Sequence, residues 1–84
     1  MGEKEIGVVT HYFGKVGVGI IDLHGTLAVG DTIRIKGTGG EFTQTVESMQ
    51  LDHVSVESAD KGATVGIKVD QKVHEHDKVY KVEL

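Results

Sequence analysis

Short runs of alternating apolar and polar residues, separated by glycines, extend along the whole chain. The clearest run is residues 31–37 (DTIRIKG), in which Ile33 and Ile35 alternate with polar side chains. This period of two is typical of β-strands with one buried face, whereas a helical pattern is confined to residues 56–61, too short for more than one turn. The chain has 12 glycines and no proline, and glycine-rich breaks are typical of tight turns. The sequence therefore predicts an all-β fold.

The alternation predicts six or seven short strands. The candidates are residues 5–12, 15–23, 31–37, 41–51, a short strand around 54–56, 63–69 and 78–84. We expect a hairpin turn at residues 37–40, because glycine readily adopts positive φ, and a bulge near Ser48, where the apolar phase changes. With no helix to cover a sheet edge, these strands favour a small closed antiparallel β-barrel of six to seven strands.

Two of these strands carry specific expectations about side-chain direction. Val16, Val18 and Ile20 are predicted to share one face of the second strand, with Gly17 and Gly19 on the other. Glycines inside a strand indicate a strong bend or the close approach of a neighbour. In the last strand, the residues expected to share one face are Tyr80, Val82 and Leu84.

Length and composition limit the classes of function. Eighty-four residues are enough for one core, so we expect residues 1–84 to form a single domain. The absence of cysteine excludes disulfides and thiolate metal sites and is compatible with a reducing compartment. With no signal-peptide pattern and no membrane-length apolar run, we expect a cytoplasmic protein without a membrane partner. The net charge of −4 opposes non-specific coating of nucleic acid more than specific recognition.

Residues 25–32 (GTLAVGDT) have the glycine spacing of the phosphate-binding loop G-x-x-x-x-G-K-[ST]. Asp31 occupies the position of the lysine, however, and the next residues continue as a strand. A carboxylate repels phosphate, and no helix N-terminus is available to bind it. We therefore predict no nucleotide and no other cofactor. Instead we expect a turn in which Gly30 supplies an unusual backbone conformation and Asp31 bonds to nearby backbone N–H groups.

Candidate catalytic and metal-binding residues are scattered along the chain. On a strand, His74 and His76 would share a face, as a pair of metal ligands does, but a third ligand would have to come from another histidine. Ser48, Asp52 and His53 include the residue types of a nucleophile, an acid and a base, yet no motif frames them. We therefore predict no metal site, no catalytic residue and no enzyme activity, and interpret the histidines as exposed turn residues.

A surface patch is the remaining candidate site. Its members are four outward cations and two aromatic residues at a turn: Arg34, Lys36, Lys68, Lys72, Tyr12 and Phe13. Cations combined with aromatic rings bind single-stranded RNA through phosphate contacts and base stacking. The alternative is ordinary solvation of strands by long charged side chains, which the acidic neighbours Glu41, Glu47 and Asp70 favour.

Several segments, in order along the chain, resemble a known family. They are residues 7–9 (GVV), 25–35, 61–67 and the closing Asp-x-Val-Tyr at 77–80. Together they are similar to the second domain of translational GTPases, the small β-barrel of elongation factor Tu. Residues 10–18 (THYFGKVGV) and 43–50 (TQTVESMQ) more closely resemble small elongation-factor-like proteins and the barrel appended to some collagenase-like peptidases.

The resemblance implies a barrel of the translation-factor domain-two type and a non-catalytic binding module that contacts RNA or a ribosomal component. The GTPase machinery is missing, because the chain lacks the lysine-bearing loop and has no asparagine for the Asn-Lys-x-Asp guanine-binding motif. The alternative is a protein-interaction or accessory barrel, similar to the one attached to the collagenase-like peptidases, with a protein partner.

Overall fold

The fold, given by a computed structural model, is described for residues 2–37 and 39–83, and every regular element in these ranges is a β-strand. The strands are β1 (Gly2–Phe13), β2 (Val18–Leu23), β3 (Leu27–Ala28), β4 (Thr32–Gly37), β5 (Gly40–Thr45), β6 (Met49–Leu51), β7 (Val54–Ser55), β8 (Ser58–Ala59), β9 (Thr64–Lys68) and β10 (Lys78–Glu83). The all-β prediction is confirmed. There are more strands than expected because the predicted strand at 41–51 is interrupted after Thr45 and two strands of two residues, β3 and β8, were not predicted. Within the described ranges, no helix could span a membrane.

Eight strands form one antiparallel sheet in the order β5-β4-β10-β1-β2-β9-β6-β7, and β3 pairs separately with β8. Strands β5 and β7 are the two edge strands of this sheet, and they are not paired with each other, so the backbone hydrogen bonds do not close the sheet into a ring. The predicted closed barrel is therefore not confirmed. The hairpin at residues 37–40 is present in outline, with Gly37 paired to Gly40, although Thr38 at its tip lies outside the described residues, as does Leu84 of the predicted last strand.

The edge strand β5 is not paired with β9, but the side chain of Gln44 in β5 connects it to the end of β9. Gln44 Nε2 donates a hydrogen bond to the Lys68 carbonyl oxygen at 2.8 Å, and Gln44 Oε1 accepts one from the Asp70 N–H at 2.8 Å. A side-chain amide has the same donor and acceptor as a peptide group. Gln44 thus takes the place of a backbone rung where the ladder stops.

The core is almost entirely aliphatic and lies inside the curved sheet. Ile33 and Ile35 of β4 are fully buried, as their alternation predicts. In β10 Tyr80 and Val82 share a face, as predicted, but this face is only partly buried, and the fully buried residue is Val79 on the opposite face. Val79 faces the core because it is paired with Ile35 in the β4–β10 ladder.

In β2 Val18 and Ile20 share a face, as predicted, while Val16 lies in the turn before the strand. Gly19, Ile21 and Leu23 point inward, and the expected close approach at Gly19 is confirmed, because a Cβ there would lie 3.3 Å from a methyl group of Val73. Val18 and Ile20 instead point outward. Their face of the sheet is therefore apolar without being part of the core.

The turn in residues 25–32 has the predicted form. Gly30 has a φ of 99°, which favours glycine, and Asp31 Oδ2 accepts a hydrogen bond from the Ala28 N–H at 2.9 Å. Lys81 lies on the other side of the same carboxylate oxygen, with Nζ 3.3 Å away. This octet is a turn that fixes the start of β4.

Candidate functional site

Two of the predicted surface cations are engaged within the chain. Arg34 and Lys36 both form ion pairs with Glu3, the latter at 3.2 Å between Nζ and Oε1, and the Lys36 ammonium also lies 4.9 Å from the centre of the Tyr80 ring. Such contacts reduce what these cations can offer to an external phosphate. The structure brings Arg34 and Lys36 together, but around a carboxylate.

The other two cations also have acidic neighbours. Lys68 lines a small cleft with Glu47 and Asp70, and Lys72 lines another with Glu41 and Asp77. Whether these residues contact a partner stays a prediction. Their surroundings favour the alternative, ordinary solvation of the strands.

The two predicted aromatic residues lie on opposite faces of β1. Tyr12 packs partly against the core, whereas Phe13 is 48% exposed, with its ring centre 5.3 Å from that of His11. Adjacent residues of a strand point to opposite sides, so Tyr12 and Phe13 cannot act on one ligand together. Only Phe13 is available at the surface as a hydrophobic contact.

The two closely spaced histidines do not lie on a strand. His74 begins a tight turn and His76 lies within it, with a φ of 72°. The buried Asp77 carboxylate accepts a hydrogen bond from the His74 N–H at 2.9 Å. In residues 2–37 and 39–83, no three His, Cys, Asp or Glu side chains are grouped so that they could hold a metal ion.

An open groove of about 360 Å³ lies on the outer face of the sheet, over β2 and β9, and we call it the outer groove. It is lined by Phe13, Val16, Val18, Ile20, Gln50, Asp52, His53, Thr64, Val65 and Gly66. Four of them, Phe13, Val16, Val18 and Ile20, present apolar side chains that are exposed or only half-buried. Apolar surface of this kind is typical of sites where a protein or ligand docks.

Strand register explains why a groove forms here. Ile20 of β2 and Gln50 of β6 are both paired with Gly66, which lies between them on β9. Because Gly66 has no side chain, its backbone forms the floor of the groove. The side chains of Val18 and Ile20 lie close above this floor, since a Cβ at Gly66 would be 3.3 Å from both Ile20 Cδ1 and Val18 Cγ1.

One rim of the outer groove is apolar. Phe13 ends β1, and Val16, 63% exposed, lies in the turn that leads to β2. The backbone of this turn is fixed by a hydrogen bond from the Gly17 N–H to the Phe13 carbonyl at 2.9 Å. The two exposed side chains are therefore held in place on the rim.

The opposite rim is a strained two-residue turn between the paired residues Leu51 and Val54. Its central residues, Asp52 and His53, have φ of 51° and 66°, a left-handed conformation that such hairpins usually give to Asn and Gly. Strained backbone of this kind clusters at functional sites. The turn places a carboxylate and an imidazole beside the apolar floor.

The sequence carried a signal for this groove that the strand prediction missed. Val18 and Ile20 were expected to share a face with Val16, with glycines opposite, but Ile21 and Leu23 make the other face of the same strand apolar as well. When a strand of a small domain is apolar on both faces, the core buries only one of them, and the other is left as exposed apolar surface that a partner can cover. That pattern identifies β2 as the strand to examine.

The sequence is similar to parts of longer proteins. A protein named as an uncharacterized protease, from Methanocaldococcus jannaschii, is 47% identical over 77 residues, which are 90% of this chain and 19% of that protein. A collagenase from Porphyromonas gingivalis is 37% identical over 78 residues, 90% of this chain and 22% of the collagenase. The chain is homologous to a segment of these proteases. It spans about a fifth of the length of the curated relatives it matches.

The fold has close counterparts among solved structures. The C-terminal domain of a protein described as a U32 peptidase, from Geobacillus thermoleovorans, matches with a TM-score of 0.89, 19% identity, and coverage of 95% of this chain and 93% of that domain. Its selenomethionine variant matches with a TM-score of 0.87. No protein-family model matches the sequence.

These matches correct part of the expected kinship. The resemblance to the barrel of collagenase-like peptidases is confirmed, whereas the likeness to the second domain of elongation factor Tu has no support. The predictions of an elongation-factor relative and of RNA binding are wrong, because the homologues are proteases and the matching fold is a peptidase C-terminal domain. The ion pairs of Arg34 and Lys36 with Glu3 give a physical reason why these cations are poor phosphate contacts.

Proposed function

We propose that the chain is a non-catalytic accessory domain that binds a collagenase-like peptidase, or a protein acting with one, through the outer groove. The exposed apolar lining of that groove is the observation that carries the proposal. The homology to about a fifth of the length of two proteases supports a role beside such enzymes.

The energetics of the groove suit a protein partner. Each aliphatic or aromatic side chain that is fully buried contributes about 1.5–3 kcal/mol. Val16 and Phe13 keep 63% and 48% of their surface in water, so a partner that covers them gains much of that free energy. The backbone beneath the groove belongs to paired strands, so this part of the interface needs little ordering on binding.

The polar side chains of the groove support a binding role rather than catalysis. A hydroxyl nucleophile needs a base within hydrogen-bond reach. The Thr64 hydroxyl donates to Asp22 Oδ1 at 3.2 Å, but the turn that carries His53 lies on the other side of β9, so hydroxyl, imidazole and carboxylate do not form a triad. In this arrangement Asp52 and His53 act as recognition groups.

The proposal includes a barrel-like scaffold beneath the groove. We propose that the sheet behaves as a closed barrel in which the Gln44 side chain replaces the missing backbone rung. The two hydrogen bonds of Gln44 to the chain just after β9 support this, because they tie the first strand of the sheet to the strand under the groove.

Calorimetry with two matched variants tests the proposed function. The chain is titrated into a collagenase-like peptidase from its own organism, prepared without that enzyme's own copy of the homologous stretch. Val16→Asp should weaken binding at least about ten-fold, because it puts a charge into an apolar contact. Val54→Asp is the control, since Val54 is equally exposed, at 62%, and does not line the groove. Equal binding by both variants, or no binding by the unaltered chain, would refute the proposal.

A further inference from the structure

We infer that the outer groove takes an extended protein segment in which an apolar side chain lies between a basic and an acidic residue, each two positions away. This inference rests on the proposed function and names the chemistry of the partner. It follows from how charge is distributed along the groove.

One end of the outer groove is acidic. Asp22, at the end of β2, is paired in register with Thr64, which lines the groove. Gln50 is paired with Gly66, and the antiparallel direction of β6 carries Asp52, two residues further on, toward the same Thr64 end. Two exposed carboxylates thus lie at this end.

The other end of the outer groove carries one basic side chain, Lys68. Lys68, at the end of β9, is paired in register with Val18, and its side chain is exposed. Within residues 2–37 and 39–83, neither Lys68 nor the carboxylates of Asp22 and Asp52 form an ion pair. Asp22 Oδ1 accepts a hydrogen bond from the Thr64 hydroxyl, and Lys68 shares a small cleft with Glu47 and Asp70. The three charges nevertheless differ from those of Arg34 and Lys36, which are held in ion pairs with Glu3.

The distance between the two ends sets the spacing in the partner. Val18 and Asp22 are four residues apart on one strand, which is about 13 Å at roughly 3.3 Å per residue. In an extended segment, residues i, i+2 and i+4 share one face and span the same distance. A basic side chain at i then faces Asp22 and Asp52, an apolar one at i+2 lies over Gly66, and an acidic one at i+4 faces Lys68.

Two capped peptides of identical composition test the pattern. Lys-Ser-Leu-Ser-Glu presents its charges and its leucine on one face, whereas Ser-Lys-Leu-Glu-Ser presents the charges on the face opposite the leucine. Titrations followed by backbone amide shifts should show the first peptide binding about five-fold tighter at low salt, as exposed ion pairs at both ends allow. The difference should shrink in 0.5 M salt, where the Debye length is only about 4 Å.

Variants of the chain locate the effect. Asp22→Lys and Asp52→Lys should each weaken the first peptide about three- to five-fold, and Gly66→Ala should weaken both peptides by raising the floor. Glu57→Lys is the control, because Glu57 is an exposed acid whose carbonyl bonds to the Val29 N–H, away from the groove.

Each other outcome overturns the inference in a distinguishable way. Equal affinity of the two peptides, or shifts away from Val18, Ile20 and Gly66, would refute the charge pattern, as would an absence of binding by both. In those cases the calorimetry with Val16→Asp decides separately whether the proposed function stands. Self-association of the chain that Val16→Asp abolishes would make a second copy the occupant and also refute the inference.

Discussion

Removing the Gln44 amide should weaken the whole fold, because this side chain bridges the gap in the sheet. Gln44 is 7% exposed and makes both of its hydrogen bonds to backbone groups, at 2.8 Å each. Gln44→Met keeps the length and volume of the side chain but leaves the Lys68 carbonyl and the Asp70 N–H without their partner. The effect therefore isolates hydrogen bonding from packing.

The size of the loss follows from these two bonds. Each hydrogen bond contributes about 1 kcal/mol net, and a partly buried group left unsatisfied adds to the cost, which gives about 2–3 kcal/mol for Gln44→Met. An 84-residue domain has a total stability of about 4–13 kcal/mol at typical values per residue. The substitution should thus remove a substantial part of the stability.

Urea denaturation measures this loss, with Gln71→Met as the control because Gln71 is exposed and should change stability by less than about 0.5 kcal/mol. Gln44→Glu gives an independent check. Its carboxyl can accept from the Asp70 N–H but must be protonated to donate to the Lys68 carbonyl, so the fold raises its pKa above the ordinary value of about 4.3.

A raised folded-state pKa means that the folded form holds its proton more tightly than the unfolded chain. The Gln44→Glu variant should therefore be closest to the unaltered protein below about pH 4 and lose stability, relative to it, as pH rises toward 7. A Gln44→Met variant as stable as the Gln71→Met control would refute the reasoning. So would a Gln44→Glu variant with no pH-dependent loss.

Three further substitutions test other parts of the fold by chemical denaturation. Gly37→Ala should destabilise by about 2–3 kcal/mol, because the new Cβ would overlap the buried Asp77 carboxylate; an effect below 1 kcal/mol would contradict that contact. Gly30→Ala should cost about 1–2 kcal/mol, since a φ of 99° is unfavourable for alanine, and a neutral result would mean that the turn rearranges. His53→Gly should stabilise by about 0.5–1 kcal/mol by relieving a φ of 66°, and a loss of stability would show that the imidazole makes contacts that outweigh the strain.

Local pattern was sufficient to predict the all-β fold, the core face of β4 and one turn. The alternation around Ile33 and Ile35 places both in the core, because a period of two admits only one buried face. The turn at Gly30 and Asp31 was also predictable, since it depends on a positive φ and a short-range carboxylate bond.

Features that depend on distant pairing could not be predicted in the same way. Whether Val79 or Tyr80 faces the core is decided by register against β4, which lies more than 40 residues earlier in the chain. The bridge from Gln44 joins it to residues 24 and 26 positions away. Alternation alone contains no information about which strands become neighbours.

The candidate site was predicted only in part. Phe13 was singled out and does line the outer groove, but it was grouped with cations that have acidic neighbours elsewhere. Val18 and Ile20 were expected to share one face of their strand, but alternation alone does not say whether that face lies in the core or faces solvent. The sequence resemblance was sufficient to find the relationship to collagenase-like peptidases. The groove could not be predicted in this way, because it is formed by strands that are distant in the sequence.

Methyl NMR spectra of the chain in complex with the truncated peptidase test the central claim most directly. If the partner covers the outer groove, the methyl signals of Val16, Val18 and Ile20 shift on binding, while those of Ile33, a fully buried residue of β4, stay in place. Shifts that spare these three residues and appear instead around Val54 or the Glu3 ion pairs would contradict the account.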